Sequence, residues 1–135
     1  MPASSADRSQ SGCSGLRSFV ADQDLRNANL KGANLRSADL TRSNFLQADM
    51  EGANLTGATL DGINLIGANL KNAKLNSARL DGARLMDANL TGASLANAFI
   101  RNLNLTGANI NGVDFNGAIR CRQVIAPDGS DGIRC

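Results

Sequence analysis

The chain reads Ala28-Asn29-Leu30-Lys31-Gly32, then Ala33-Asn34-Leu35-Arg36-Ser37, and it repeats this five-residue unit as far as Ala118 without an insertion. Every multiple of five from Leu25 to Phe115 holds Leu, Ile, Met or Phe, which we call the central residue of its unit. The residue two places earlier is Ala in most units. Because apolar side chains at a fixed spacing mark a buried face, the central residues are predicted to form the core. They are Leu25, Leu30, Leu35, Leu40, Phe45, Met50, Leu55, Leu60, Leu65, Leu70, Leu75, Leu80, Leu85, Leu90, Leu95, Ile100, Leu105, Ile110 and Phe115.

A period of five fits neither an α-helix nor a plain strand. On a helix, five steps of about 100° would leave successive central residues about 140° apart. In a strand, alternation would send them to opposite faces. A short extended segment followed by a turn keeps every central residue pointing inward. The residue two after the centre supports this turn, because it is Gly in ten of nineteen units and Asn, Ser or Asp in seven more. Arg42 and Gln47 are the exceptions, and looser corners are expected there.

These A-(D/N)-L-x-x units resemble the pentapeptide-repeat family, and the resemblance covers the chain from residue 23 to residue 118. It implies an all-β fold, a right-handed quadrilateral β-helix in which four units make one square coil. The chain would then contain about five coils, each rising by about 4.8 Å. Central residues would stack in four inward columns, with Ala filling the gaps between them.

The two ends of the chain differ from this repeat. Residues 1–12 are Ser-rich and polar, which predicts a disordered tail. Residues 13–22 carry apolar side chains at helical spacing, which predicts a short helical cap over the N-terminal end of the rod. Residues 119–135 are predicted to form a C-terminal capping hairpin. Its turn is Pro127-Asp128-Gly129, which would pair Ala126 with Ser130.

The chain contains three cysteines. The hairpin register sets Cys121 opposite Cys135, so these two are the candidate disulfide, which would require an oxidising compartment. The alternative is three free thiols in a cytoplasmic protein, and Cys13 has no partner within the chain in either case. The N-terminus lacks the apolar segment of a signal peptide. The expected location is therefore the thylakoid lumen or periplasm if a targeting segment has been removed, and otherwise the cytoplasm.

Composition argues against catalysis and against membrane insertion. The chain has no His and no Tyr, and it shows no Ser nucleophile with a plausible base and no phosphate-binding glycine loop. Without His or a C-x-x-C pair, a zinc site is not expected, and neither is a cofactor. No apolar run approaches the roughly 18–20 residues that cross a bilayer. These absences predict a protein that is not an enzyme.

Because one predicted coil holds twenty residues, positions twenty apart stack on the same wall of the square. One of the four walls differs from the others. The residues after the centre on this wall are Arg26, Leu46, Ile66, Met86 and Thr106. Leu46, Ile66 and Met86 would form an exposed apolar patch on a flat β-face, and they are the candidate interaction face for a protein partner or for self-association. The alternative is drift in a tolerant scaffold. The same wall carries unusual residues at the usual Ala position, namely Gln23, Ser43, Ile63, Ala83 and Leu103.

Two polar features have simpler interpretations. Lys74, Arg79 and Arg84 replace the usual Asn or Asp before the centre and form a basic band. No nucleic-acid partner is expected, because such a site would need more charge and more aromatics than Phe99 supplies. With Asp61 and Asp81 nearby, a salt-bridged, solvated face is favoured. The column of Asn29, Asp49, Asn69, Asn89 and Asn109 is explained by turn and ladder hydrogen bonds.

The predicted function is a non-enzymatic structural or interaction scaffold that presents the faces of its β-helix to a protein partner. The chain looks like the small, loop-free pentapeptide proteins of photosynthetic bacteria and of the thylakoid lumen. The alternative is a DNA-mimicking inhibitor or protector of DNA gyrase, as some family members are. That role requires a long, strongly acidic rod, whereas this chain has a formal net charge of +2.

Overall fold

The computed structural model describes residues 21–119 and 123–130, which form a four-sided parallel β-helix. Each side is a three-residue extended segment that ends at the central residue, and the next two residues turn the corner. In these described residues the pairing consists of single β-bridges, between positions twenty apart in every pair but the last, and neither a longer strand nor a helix is present. The four bridged columns run from Asp24 to Ile125, from Asn29 to Asn109, from Asn34 to Asp114 and from Asp39 to Ile119.

The same backbone hydrogen bonds recur in successive units. The Leu30 N–H donates to the carbonyl of Asp49 at 2.7 Å, and the Gly32 N–H donates to that of Glu51 at 2.8 Å. Both bonds join one level of the coil to the next. Within the corner, the Ala33 N–H donates to the Leu30 carbonyl at 2.9 Å and closes a four-residue turn. The backbone therefore satisfies its polar groups mainly between levels, as a parallel ladder requires.

Every corner has the same backbone conformation, including the two where looser corners are expected. The second turn residue has a positive φ in all nineteen units, between 55° and 74°. With a negative φ at the first turn residue, this is the sign pattern of a type II turn. Arg42 and Gln47 have φ values of 56° and 57°, and their N–H groups bond to the next level at 2.9 Å. The expectation of looser corners is wrong, because the ladder bonds on both sides hold the turn whatever its side chain.

The core contains the central residues and the inward Ala residues. Each central residue from Leu25 to Leu105 is at most 1% exposed. Ile110 and Phe115 are only half-buried and pack against this core. Both lie near the C-terminal end of the ladder. Among the described residues, the next level covers Leu103–Gly107 but does not extend over Ile110 or Phe115. Apart from Ser43, Phe45 and Met50, the buried interior is thus built from aliphatic side chains.

Four of the five residues at the Ala position on one side lie in this interior, and the fifth, Gln23, is half-buried. Ile63 and Leu103 are at most 1% exposed, and Ala83 lies between their levels. Ser43 is fully buried, and its Oγ accepts a hydrogen bond from the Gln23 N–H at 3.0 Å. The small Ser43 shares its side with Phe45, the only aromatic residue among the fully buried side chains described. These residues are therefore a packing feature of the core and do not mark the outer surface.

The parallel pairing continues past Ala118 with a change of register. Phe99 pairs with Ile119 at the usual offset of twenty, but Asn104 pairs with Ile125 at an offset of twenty-one. Val124 is fully buried at the inward position above Leu103. The predicted turn is present, since the Ala126 N–H donates to the Ser130 carbonyl at 2.9 Å and Gly129 has a φ of 83°. The predicted tail, most of the helical cap and all three cysteines, including the Cys121–Cys135 pair, lie outside the described residues.

Two glycine corners allow a matched test of this packing. A Cβ added to Gly107 would contact the Asp87 Oδ1 of the level before it, whereas a Cβ at Gly52 would contact nothing within 4 Å. Gly52→Ala should lower the free energy of unfolding by about 1–2 kcal/mol, through the left-handed conformation alone. Gly107→Ala should lose a further 1–3 kcal/mol or so, because Asp87 must move. Urea denaturation measures both. The stacking of these corners would be contradicted if both substitutions lowered the free energy of unfolding equally. It would also be contradicted if adding Asp87→Gly to Gly107→Ala restored none of the lost free energy.

Candidate interaction surfaces

The outward residue before the centre stabilises the corner that follows it. Where it is Asn or Asp, its Oδ1 accepts the N–H two residues later, as Asn69 does from Lys71 at 3.2 Å and Asn89 does from Thr91 at 3.1 Å. The Asn69 Nδ2 also donates to the Asp49 Oδ1 at 3.2 Å, which links two levels. The interpretation of the Asn-rich column as turn and ladder bonding is therefore confirmed. The Oδ1 atom of each residue in the column accepts such a bond.

At two of these positions, Asp24 and Asp39, hydrogen bonds lower the pKa of the carboxyl group. The pKa of Asp39 is lowered because the Thr41 hydroxyl donates to it at 2.6 Å and the Thr41 N–H at 3.1 Å. The pKa of Asp24 is lowered by the hydrogen bond from Arg26, whose Nε lies 2.9 Å from Oδ1. Both side chains lie at the surface.

Stability should therefore depend on pH in the acid range. A lowered pKa means that the unfolded chain binds more protons than the folded one, so stability is present above about pH 4 and is lost as pH falls below it. We expect the thermal midpoint to decrease between about pH 5 and pH 2. Asp39→Asn keeps the acceptor oxygen but cannot titrate, so it should reduce the decrease. An unchanged pH profile in that variant would show that Asp39 contributes nothing to it.

The candidate interaction face is a corner of the square. Leu46, Ile66 and Met86 lie in one column at the first turn position, and all three are half-buried. The expectation of a flat β-face is wrong in this respect, because the extended segment ends at the central residue and the residue after it enters the turn. The N–H groups of Leu46 and Ile66 bond to the Asn44 and Asn64 side chains at 3.1 and 3.0 Å. The result is a continuous apolar ridge, which we call the corner column.

A second apolar feature was missed by the sequence-based reading. Among the described residues, the large apolar side chains that are exposed are those of Phe99, at 41%, and Ile119, at 38%. They are neighbours in one bridged column, at the position before the centre. The sequence contains this information, because residues twenty apart at the position before the centre include two large apolar residues in succession, Phe99 and Ile119. At this position the sequence analysis considered only charged and hydrogen-bonding residues and took Phe99 as a single aromatic residue, so the pair with Ile119 was not found.

One member of the basic band is paired with an acidic residue: the Arg79 Nη2 lies 3.0 Å from the Asp61 Oδ2. Outside the band, the Arg101 Nη2 lies 2.7 Å from the Asp81 Oδ2. The salt-bridged interpretation is thus confirmed for Arg79. Arg79, Asp81, Phe99 and Arg101 line a shallow depression of about 270 Å³. Its walls combine one aromatic ring with two guanidinium groups, each held by an aspartate.

Residues 21–119 and 123–130 contain no group of three or more His, Cys, Asp or Glu side chains that could hold a metal ion. No helix long and apolar enough to cross a membrane occurs over those ranges.

The fold and its five-residue units define a solenoid repeat protein, and comparison with known families identifies the kind. The family described as pentapeptide repeats matches the chain in eight copies, over residues 24–57, 48–85 and 83–119. The chain belongs to the pentapeptide-repeat family, and its fold is the right-handed quadrilateral β-helix of that family. Curated protein sequences give no significant match to it.

Several solved structures are similar to this one. Rfr23, a pentapeptide-repeat protein from the cyanobacterium Cyanothece 51142, is 31% identical with a TM-score of 0.64, over 76% of this chain and 81% of Rfr23. HetL from the cyanobacterium Nostoc, a pentapeptide-repeat protein involved in the regulation of heterocyst differentiation, is 30% identical with a TM-score of 0.67. That match covers 86% of this chain and 61% of HetL. QnrB1, a plasmid-mediated fluoroquinolone resistance protein, is 22% identical with a TM-score of 0.58, over 73% of this chain and 48% of QnrB1, and it shares the fold alone.

Proposed function

We propose that this protein is a non-enzymatic scaffold that binds a partner protein, or a second copy of itself, through the outer surface of its β-helix. In this proposal the nineteen units, at four per coil, make about five coils. They are closed by a helical cap over residues 13–22 and a hairpin over residues 119–135. The observation that carries the proposal is the corner column. Leu46, Ile66 and Met86 occupy three consecutive levels at the same turn position.

The fold itself does not need apolar side chains at this position. The other three corners carry polar residues or Ala there, for example Thr56, Asn76 and Ala96 on the diagonally opposite corner. Those corners have the same positive φ and the same ladder bonds. Half-buried Leu, Ile and Met side chains in a continuous ridge still offer apolar area that a partner could cover. Burial of that area against a partner is the usual driving force for association.

A non-catalytic role is supported by the shape of the surface. The sides of the square are straight ladders, and the corners project outward. The depression beside Phe99 has about 270 Å³, which is below the 300–1,000 Å³ or so of ligand pockets. Catalytic groups usually need a recess in which water is excluded and pKa values are shifted.

A DNA-mimicking role is less well supported by the charge of the described surface. Residues 21–119 and 123–130 carry nine basic and ten acidic side chains, so the β-helix is close to neutral. A DNA mimic presents a strong negative field to a protein that binds DNA. Supercoiling by DNA gyrase should therefore be unchanged when this protein is added. Inhibition or protection at low micromolar concentration would favour the mimic over the scaffold.

The corner column can be tested with two matched triple variants. Leu46→Ser, Ile66→Ser and Met86→Ser together remove the ridge, while Thr56→Ser, Asn76→Ser and Ala96→Ser change the opposite corner at the same turn position. Circular dichroism checks that both variants fold. We expect a partner captured from an extract of the source organism, or a dimer seen by analytical ultracentrifugation, to be lost in the first variant and kept in the second. Identical behaviour of the two folded variants would reject the corner column as the interaction surface.

A further inference from the structure

The side of the β-helix that carries Phe99 departs from the repeat at the residue before the centre. That position is usually Asn or Asp, whose Oδ1 stabilises the corner, but Phe99 and Ile119 have no acceptor to offer. Their backbones nevertheless stay in the ladder, since the Phe99 N–H donates to the Ala78 carbonyl at 2.9 Å and the Ile119 N–H to that of Ala98 at 2.7 Å. The fold therefore does not require these side chains, and it gives up a favourable hydrogen bond at each position.

The side chains of Phe99 and Ile119 form one exposed apolar patch, which we call the apolar step. Phe99 and Ile119 are bridged neighbours in the ladder, so their side chains project from the same face about 4.8 Å apart. They are 41% and 38% exposed, whereas the corner column is less exposed throughout. Large apolar side chains side by side on a ladder are a feature that soluble proteins retain mainly where something covers them.

Two guanidinium groups flank this apolar step. Arg79 is the bridged neighbour of Phe99 on the preceding level, and Arg101 lies at the corner two residues after Phe99. Each donates through one Nη2 to an aspartate, Arg79 to Asp61 at 3.0 Å and Arg101 to Asp81 at 2.7 Å. The arginine side chains are 57% and 50% exposed. Because a guanidinium has five N–H donors, each aspartate can orient its arginine and leave donors directed to solvent.

The charge around this step is positive although the β-helix as a whole is close to neutral. Arg79 and Arg101 lie beside the apolar step, and Lys74 and Arg84 lie on the two neighbouring sides. The acidic residues are Asp61, Asp81 and, on the same neighbouring side as Lys74, Asp114. Four positive and three negative charges leave a local excess of one. An acidic ligand is therefore favoured at this place, and carboxylates are the natural partners of exposed guanidinium groups.

We propose that Arg79, Phe99, Arg101 and Ile119 form a docking site for an acidic segment of a partner protein. Carboxylates of the segment bind the two guanidinium groups, and an adjacent apolar side chain packs on Phe99 and Ile119. A nucleic acid is disfavoured because it would need a longer basic track and successive aromatic platforms. One side of the square lies between this site and the corner column, so the two surfaces are independent and either can fail alone.

A selection from a phage-displayed random peptide library tests the site directly. The partner protein need not be known, because the selection shows which peptide chemistry the site binds. The immobilised bait is the full chain, and Phe99→Asn serves for counter-selection because it restores the residue type that the repeat favours. Enriched peptides are expected to combine Asp or Glu with an aromatic or aliphatic residue. Synthetic copies should bind Phe99→Asn and Ile119→Asn at least about tenfold more weakly than the original chain. Thr59→Asn, in the same column two levels away, should bind them normally.

Charge removal and a competing ligand complete the test. Arg79→Thr and Arg101→Thr use residues that the repeat carries at equivalent positions, and each should weaken binding and flatten its salt dependence. The variant that lacks the corner column should bind the peptides normally. The proposal is overturned if no peptide is enriched, if enriched peptides lack carboxylates, or if they bind Phe99→Asn as well as the original chain. A single-stranded oligonucleotide that bound with the same residue dependence would also overturn it.

Discussion

Leu65→Ala is expected to lower the free energy of unfolding by about 2–5 kcal/mol. Leu65 is fully buried, and it lies in an inward column between Phe45 and Leu85. Its neighbours cannot collapse into the space, because their backbones are fixed by ladder bonds such as the one from the Leu65 N–H to the Arg84 carbonyl at 2.8 Å. The variant therefore loses both the transfer free energy of the side chain and the contacts around a cavity.

Urea denaturation followed by circular dichroism measures this loss. The matched control is Leu46→Ala, the same substitution at a half-buried corner. The control should cost well under half as much, because less apolar area is withdrawn from water at the corner. Equal effects of the two substitutions would contradict the assignment of central residues to a closed core.

Ala68→Leu is expected to destabilise the protein by about 1–3 kcal/mol or more, although the new side chain is more apolar. Ala68 is 1% exposed, and the equivalent positions on the levels above and below, Ala48 and Ala88, are also Ala. A column of Ala leaves room only for methyl groups between the columns of central residues. A Leu there has no empty volume to enter, so it must strain its neighbours or displace the backbone.

The control for this second substitution is Ala96→Leu. Ala96 is a half-buried first turn residue, at a position where other corners carry larger side chains. This variant should stay within about 0.5 kcal/mol of the original chain, as ordinary surface changes do. A stable Ala68→Leu protein would show that the interior has space that the fold described above does not contain.

Most of the fold could be predicted because one pattern is repeated without interruption. The period of five excluded a regular helix or strand, and the Gly, Asn and Ser residues located the corners. Arg42 shows the limit of this reasoning, since its side chain suggested a loose corner and its backbone has the common φ of 56°. The ladder bonds from neighbouring levels decide the turn, and those bonds are not visible in a single unit. Ile125 is a second example. It pairs with Asn104, twenty-one residues earlier, and this register is set by the ladder and not by the repeat pattern.

The candidate sites were harder to predict than the fold. Modulo-twenty reading found Leu46, Ile66 and Met86, but it placed them on a flat face because the turn was not located to the residue. It also treated Phe99 as isolated, since the neighbouring Ile119 falls where the repeat pattern breaks. Relative exposure depends on how side chains on adjacent levels cover each other. That information enters only with the three-dimensional structure.

The fold alone does not assign a function to this protein. HetL is described as a protein of heterocyst differentiation regulation and QnrB1 as a fluoroquinolone resistance protein, yet both are similar to this chain in structure. One scaffold thus serves unrelated roles, and the residues on its outer surface must distinguish them. In this chain the departures from the repeat are the corner column and the step formed by Phe99 and Ile119.

Site-specific photo-crosslinking tests the proposed scaffold role most directly. A benzophenone amino acid is introduced in place of Ile66, within the corner column, or in place of Asn76, at the same turn position on the opposite corner. Each protein is irradiated in an extract of the source organism and examined by denaturing electrophoresis and mass spectrometry. The proposed function predicts a discrete covalent adduct, with one protein or with a second copy of this chain, from position 66 and none from position 76. No adduct from position 66, or equal adducts from both positions, would contradict it.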